Sequence, residues 1–149
     1  MKIEDEIKSS FRNDYHKAMV NMYFTNNVIV EQFIIMLKEY GLTAQQFNIL
    51  RILNGQNPKA VSIGIIKERM LDKNSDVSRI VDRLYKKGLV ERKESLSDRR
   101  QKDILISNNG IDMIGKMTVC EKKQDEILSN LNKEEVKLLN ELLDKIRRK

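Results

Sequence analysis

The segment that most limits the fold runs from residue 74 to residue 107. Its first half sets Val77, Ile80, Val81 and Leu84 at i, i+3, i+4 and i+7. That spacing predicts an amphipathic helix over 74–87, with Asn74 or Ser75 as N-cap and Gly88 as its stop. The second half carries two apolar runs, Leu89-Val90 and Ile104-Leu105-Ile106, around the polar tip ERKESLSDRRQKD. These predict a hairpin of strands 89–93 and 102–106. Ahead of both, Ser62 is placed to cap a short helix through Met70 with Ile65, Ile66 and Met70 inward, and a polar turn follows at 71–73. Two short helices about a tight turn, then at once a hairpin, is the order of a winged helix-turn-helix.

The flanks are helical and richer in apolar residues than one protomer needs. Between residues 11 and 37, Phe11, Tyr15, Ala18, Met22, Ile29, Phe33 and Met36 mark one helical face, while Val28, Ile34, Ile35 and Leu37 make the C-terminal half apolar nearly all round. Gly41 ends this helix. Thr43 to Gln46 then reads as a capping box, opening a helix with Phe47, Leu50 and Leu53 on its core face, and residues 55–59 form a loop. After the hairpin, Ser107 caps a helix carrying Ile111, Ile114, Met117, Cys120, Ile127 and Leu128 towards Leu131. Asn132 and Glu135 open a last helix striped with Val136, Leu139, Leu142, Leu143 and Ile146. The expected fold is mainly α with a small β-hairpin wing. A single domain, 1–149, holds a winged helix-turn-helix at 42–107 flanked by dimerisation helices at 9–40 and 108–149. The surplus apolar surface at the two ends predicts a homodimer.

The charge is concentrated where the fold narrows. Of a net +6, residues 77–102 supply nine cations (Arg79, Arg83, Lys86, Lys87, Arg92, Lys93, Arg99, Arg100, Lys102) against four acids, a net +5. A basic patch on a winged head points to nucleic acid. On the 74–87 helix the outward positions are Ser75, Asp76, Ser78, Arg79, Asp82, Arg83 and Lys86, and short hydroxyls with an arginine at the N-terminal end suit contacts to base edges in a major groove. In an extended ribbon Asp98 and Arg100 fall on one side and Arg99 on the other. The acid is therefore placed to orient an arginine for a narrow minor groove.

Three stretches carry a family resemblance: LTAQQFNILRIL at 42–53, DVSRIVDRLYKKGLVERKE at 76–94 and SDRRQKDILIS at 97–107. Together they resemble the MarR family of bacterial transcriptional regulators, over nearly the whole chain and most closely at 76–107. The resemblance implies a homodimer with two winged heads, dimerised through its first and last two helices. It also implies a palindromic double-stranded DNA operator and repression relieved by a ligand or oxidant. It puts Ser75, Asp76, Ser78 and Arg79 at recognition-helix contacts and Asp98, Arg99 and Arg100 at wing contacts; Arg83, Lys86 and Lys102 extend the same basic face. The chain departs from the family at Asp76, where threonine is common, and at Lys67, where a small residue is.

Other signals are weaker. Tyr15, His16, Met19 and Tyr23, near Met22 and Phe24, are candidate lining for a small-molecule effector pocket, although methionines and aromatics at helical spacing also serve a core. His16 has no second metal-ligating residue at a useful spacing. Cys120, the only cysteine, continues an apolar series as a small buried hydrophobe would, and a single cysteine excludes an intrachain disulfide. No Gly-rich phosphate loop, nucleophile–base pair or metal cluster is present, so neither an enzyme nor a bound cofactor is expected. The charged N-terminus and short apolar runs predict a cytoplasmic protein with no membrane partner. The competing function is a winged-helix module that docks an acidic protein.

Overall fold

The computed structural model describes residues 2–95 and 102–148, the side chains of Cys120 and Glu121 excepted. Along the chain these residues form α1 (Ile3–Ile7), α2 (Asp14–Lys38), α3 (Ala44–Asn54), α4 (Ile63–Arg69), α5 (Val77–Lys86), β1 (Val90–Glu94), β2 (Lys102–Ile106), α6 (Asn108–Lys116), α7 (Thr118–Glu126) and α8 (Lys133–Arg147). The architecture is that of a winged helix-turn-helix carried between long helices.

Helix α3 is the hub. Its capping box is formed, with Gln46 N donating to Thr43 Oγ1 and Thr43 N to Gln46 Oε1, each at 3.2 Å. Phe47, Leu50 and Leu53 are buried as their spacing requires, and Ile49 is fully buried too, because α2, α5, α6 and β2 surround the helix on more than one side. Ile66 of α4 and Met70 at its C-terminal cap take the core face while Ile65, expected inward, is 38% exposed. The helix has seven residues, and once Ile66 and Met70 face the core one turn apart, Ile65 is rotated away from it.

The turn before α5 corrects the expected cap. Asp72 accepts from Asn74 N and from Ser75 Oγ, both at 3.0 Å, so those two residues belong to an Asx-type turn, and Asp76 caps α5 by accepting from Arg79 N at 3.2 Å. Val77, Val81 and Leu84 are then buried. Gly88 closes the helix at φ 69°, a left-handed conformation suited to glycine.

Strands β1 and β2 pair antiparallel with Val90 opposite Ile106, Arg92 opposite Ile104 and Glu94 opposite Lys102. The first strand begins one residue later than expected; the second matches. A short bridge from Val61 to Ile104 adds an unexpected partner on the outer edge of β2, through hydrogen bonds of 2.9 and 2.8 Å. It satisfies backbone groups that an open edge would leave to solvent.

Ser107 caps α6 as expected. The single helix expected from there to Leu131 is instead two, α6 and α7, parted at Met117, whose ψ is −1°. Met117 is fully buried, and Thr118 Oγ1 donates to the Gly115 carbonyl at 2.9 Å, a local bond that bends helices. The capping box of α8 is formed by Asn132 and Glu135. The long helix α2 starts at Asp14, three residues after the apolar series begins, because Asn13 caps it by accepting from His16 N at 2.9 Å.

The apolar surplus of the flanks is plain in the protomer. Ile34, Ile35, Leu138, Leu142 and Ile146 are all about half exposed, and no residue of α8 is buried. The unexpected α1 carries a buried Ile3 and is tied to α2 by an ion pair between Glu4 and Lys17. No helix among the described residues is long and apolar enough to cross a membrane, and none of their His, Cys, Asp or Glu side chains group to hold a metal.

Candidate nucleic-acid interface

Helix α5 has three rows of side chains, each stepping by three or four residues. Val77, Val81 and Leu84 form the buried row. Arg79, Arg83 and Lys86 form an exposed cationic row, and Ser78, Asp82 and Tyr85 form a flank beside it, also exposed. Among the described residues Arg83 and Lys86 make no ion pair, which leaves both charges free for a polyanion.

Asp76 has two tasks at the head of this helix. One carboxylate oxygen caps the backbone, and the other lies 3.6 Å from Arg79 Nε. The acid therefore compensates the helix N-terminus and lies beside the first arginine, which accounts for a carboxylate at the head of an otherwise cationic row. Ser75 is half-buried and its hydroxyl is engaged with Asp72, whereas Ser78 is exposed. Lys67, the other departure from the family pattern, is exposed on α4 and disturbs no packing.

At the far end of the hairpin Lys102 pairs with Glu94 at 3.2 Å, across the strand register. Asp98, Arg99 and Arg100 lie outside the described residues. Sequence reasoning misses Arg92, which forms an ion pair with Asp82 and sits 4.8 Å from the centre of the Tyr85 ring. The available signal is the strand alternation, since Arg92 shares a face with Val90 and therefore with the core side of the hairpin.

Residues 42–102, which span this reading head, match the model of the MarR family. Over 130 residues the chain is 30% identical to the HTH-type transcriptional regulator MgrA of Staphylococcus aureus, covering 87% of this chain and 81% of MgrA. The chain belongs to the MarR family. A second relative, the HTH-type transcriptional regulator PapX of Escherichia coli, is 27% identical over 108 residues, 72% of this chain but 66% of PapX, just under two thirds of that protein's length. Among solved structures, a mutant of E. coli MarR complexed with operator DNA superposes with a TM-score of 0.80 at 22% identity, covering 94% of this MarR-family chain and all of that one. At that identity the likeness concerns the fold.

A cleft of about 980 Å³ opens between α2, α7 and the reading head of this MarR-family protein. Phe33, Phe47 and Ile52 give it apolar walls, and Asn48, Arg51 and Asp72 give it polar groups. Asn48 Oδ1 also accepts from Leu71 N at 2.9 Å, tying α3 to the turn that precedes α5. None of Tyr15, His16, Met19 or Tyr23 lines this cleft. Tyr15, Met19 and Tyr23 are exposed on α2, and His16 packs edge-on to Phe11 with its Nδ1 accepting from Arg12 N at 3.3 Å.

Proposed function

We propose that this protein is a cytoplasmic, sequence-specific DNA-binding transcriptional regulator that represses from a pseudo-palindromic operator as a homodimer. Residues 42–107 are the winged reading head, and residues 9–40 and 108–149 the dimerisation region. Helix α5 enters the major groove, with Ser78 and Arg79 towards base edges and Arg83 and Lys86 towards phosphates. Ser75 and Asp76 stand at the helix's leading end. The wing, with Asp98, Arg99, Arg100 and Lys102, follows the adjacent minor groove.

The observation that carries this reading is the exposed cationic row Arg79, Arg83 and Lys86, directly opposite a buried row on the same helix. A face of cations and hydroxyls favours DNA over the docking of a protein partner, which would need apolar surface there. Effector control is routed through the cleft of about 980 Å³ rather than through the exposed α2 side chains. A ligand there reaches Asp72, whose carboxylate holds Asn74 and Ser75 just ahead of α5, and so shifts the start of the recognition helix.

Selection of bound fragments from random duplex DNA tests the proposal. The expected result is an inverted repeat whose half-site centres lie about one helical turn, 10 to 10.5 base pairs, apart. Recovery of fragments with no common sequence would overturn it.

A further inference from the structure

Two members of the flank row of α5, Asp82 and Tyr85, meet the hairpin through Arg92. This arginine stands on the core side of β1, opposite buried Ile104, with Val90 and Ile106 further in on the same face. Here the buried face of the hairpin runs out. Its guanidinium reaches α5, where it is ion-paired with Asp82 and set over the Tyr85 ring at 4.8 Å. Asp82 and Tyr85 are one turn apart on the helix, so Arg92 is held at two points rather than one. Its side chain is 35% exposed against 54% for Asp82. A planar guanidinium meets a carboxylate edge-on and a ring face-on at once, a geometry the lysine ammonium does not reproduce.

We infer that Arg92, clasped by Asp82 and Tyr85, is a positioning residue that fixes the hairpin's angle to α5, so that helix and wing address adjacent grooves of one operator half-site together. The clasp spans the short sequence between the two reading elements, the Gly88 turn and Leu89. Without it the hairpin keeps its strand pairing and its hold on the core at Val90, Ile104 and Ile106, but its outer half is free to swing. This rests on the reading of α5 and the hairpin as the DNA interface.

Three variants separate this role from others. Arg92→Lys keeps the charge and loses the two-point hold; Asp82→Asn removes the carboxylate; Tyr85→Leu leaves both charges and removes the ring. Each is first checked as a folded dimer, and because the three perturb the clasp differently, any that folds carries the test. The readouts are operator affinity, its salt dependence, and hydroxyl-radical and dimethyl sulfate footprints on the selected operator. The clasp predicts a loss on the order of tenfold in affinity for Arg92→Lys and for Asp82→Asn, with the double variant no weaker than either single one. It predicts that minor-groove protection on the flanks fades while guanine protection in the major groove persists. The slope of log affinity against log salt stays unchanged for Arg92→Lys.

The sign for Asp82→Asn is decisive. Removing an acid beside DNA strengthens binding by electrostatics alone, whereas loss of the clasp weakens it. Flank protection intact in the folded variants, or a gain in affinity for Asp82→Asn, would overturn the inference while leaving the DNA-binding reading in place. Failure of the unmodified protein to footprint any duplex would overturn both.

Discussion

Asp76 Oδ1 accepts from the backbone of Arg79 while Oδ2 of the same carboxylate faces the Arg79 guanidinium at 3.6 Å, so one residue both starts α5 and aims its first cation. The two tasks separate by mutation. Asp76→Ala removes the cap and lowers stability by about 0.5 to 2 kcal/mol in urea unfolding. Asp76→Asn keeps an acceptor for the backbone, leaves stability nearly unchanged, and broadens base choice at the operator position beneath Arg79. Equal stability loss in both variants would show that the cap depends on the charge alone.

Gly110 sits where α6 crosses the start of β1 and the end of β2. A Cβ there would lie 2.2 Å from the Leu89 carbonyl oxygen and 2.7 Å from Ile106 Cγ1. The same junction is held by Ser107, whose hydroxyl donates to the Gly88 carbonyl at 2.7 Å and accepts from Gly110 N at 3.1 Å. Because one of the obstructing atoms is backbone, Gly110→Ala forces the helix and the hairpin apart. The expected loss is about 1 to 3 kcal/mol by chemical denaturation. A variant as stable as the parent contradicts this packing.

Much of this is legible from residue types. Thr43 and Gln46, Ser107, and Asn132 and Glu135 announce their helix starts because a capping side chain acts within one turn. The buried row of α5 is equally local. What escapes has more than one cause. Asp72 competes locally, claiming Asn74 and Ser75 so that Asp76 takes the cap; Val61 pairs with Ile104 across a long stretch of sequence; and the chain parts at Met117 although the apolar series runs on through it. In the sequence Arg92 is one cation among many, since neither its charge nor its neighbours along the chain reveal the carboxylate and ring on another element. The role expected of Asp98 in orienting Arg100 falls outside the described residues.

The ion pair between Glu4 and Lys17 gives α1 a pH dependence. The hydrogen bond from Lys17 holds the Glu4 carboxyl below its ordinary value, and the same bond raises Lys17. The contribution from Glu4 is present above its unfolded-state value and is lost as pH falls through the lowered one. The contribution from Lys17 is present below its unfolded-state value and is lost as pH rises through the raised one. Hydrogen exchange of the α1 amides is therefore expected to accelerate relative to α3 at both acid and strongly alkaline extremes, with a protected plateau between them. Glu4→Gln abolishes that plateau's advantage. Exchange in α1 that follows α3 at every pH contradicts this role for the pair.

The exposed apolar residues of α2 and α8 call for a second copy of the chain. Ile35 is 60% exposed and Ile146 62%, on the helices proposed to dimerise. Sedimentation at micromolar concentration is expected to show a dimer for the parent protein, and dissociation for the double variant Ile35→Asp, Ile146→Asp with α3 and α5 still folded. A parent protein that sediments as a monomer at that concentration contradicts the assignment.

Two copies of α5 reading bases symmetrically should leave a symmetric mark on specificity, and Arg79→Ala on the selected operator tests this most directly. With every single-base variant of that operator compared, the substitution is expected to cost about 1 to 3 kcal/mol on the preferred sequence. Discrimination should relax at one position in each half-site, the two related by the operator's dyad. A uniform loss across all sequences, with base preferences intact, would mean that Arg79 meets only phosphate and that α5 does not read the bases.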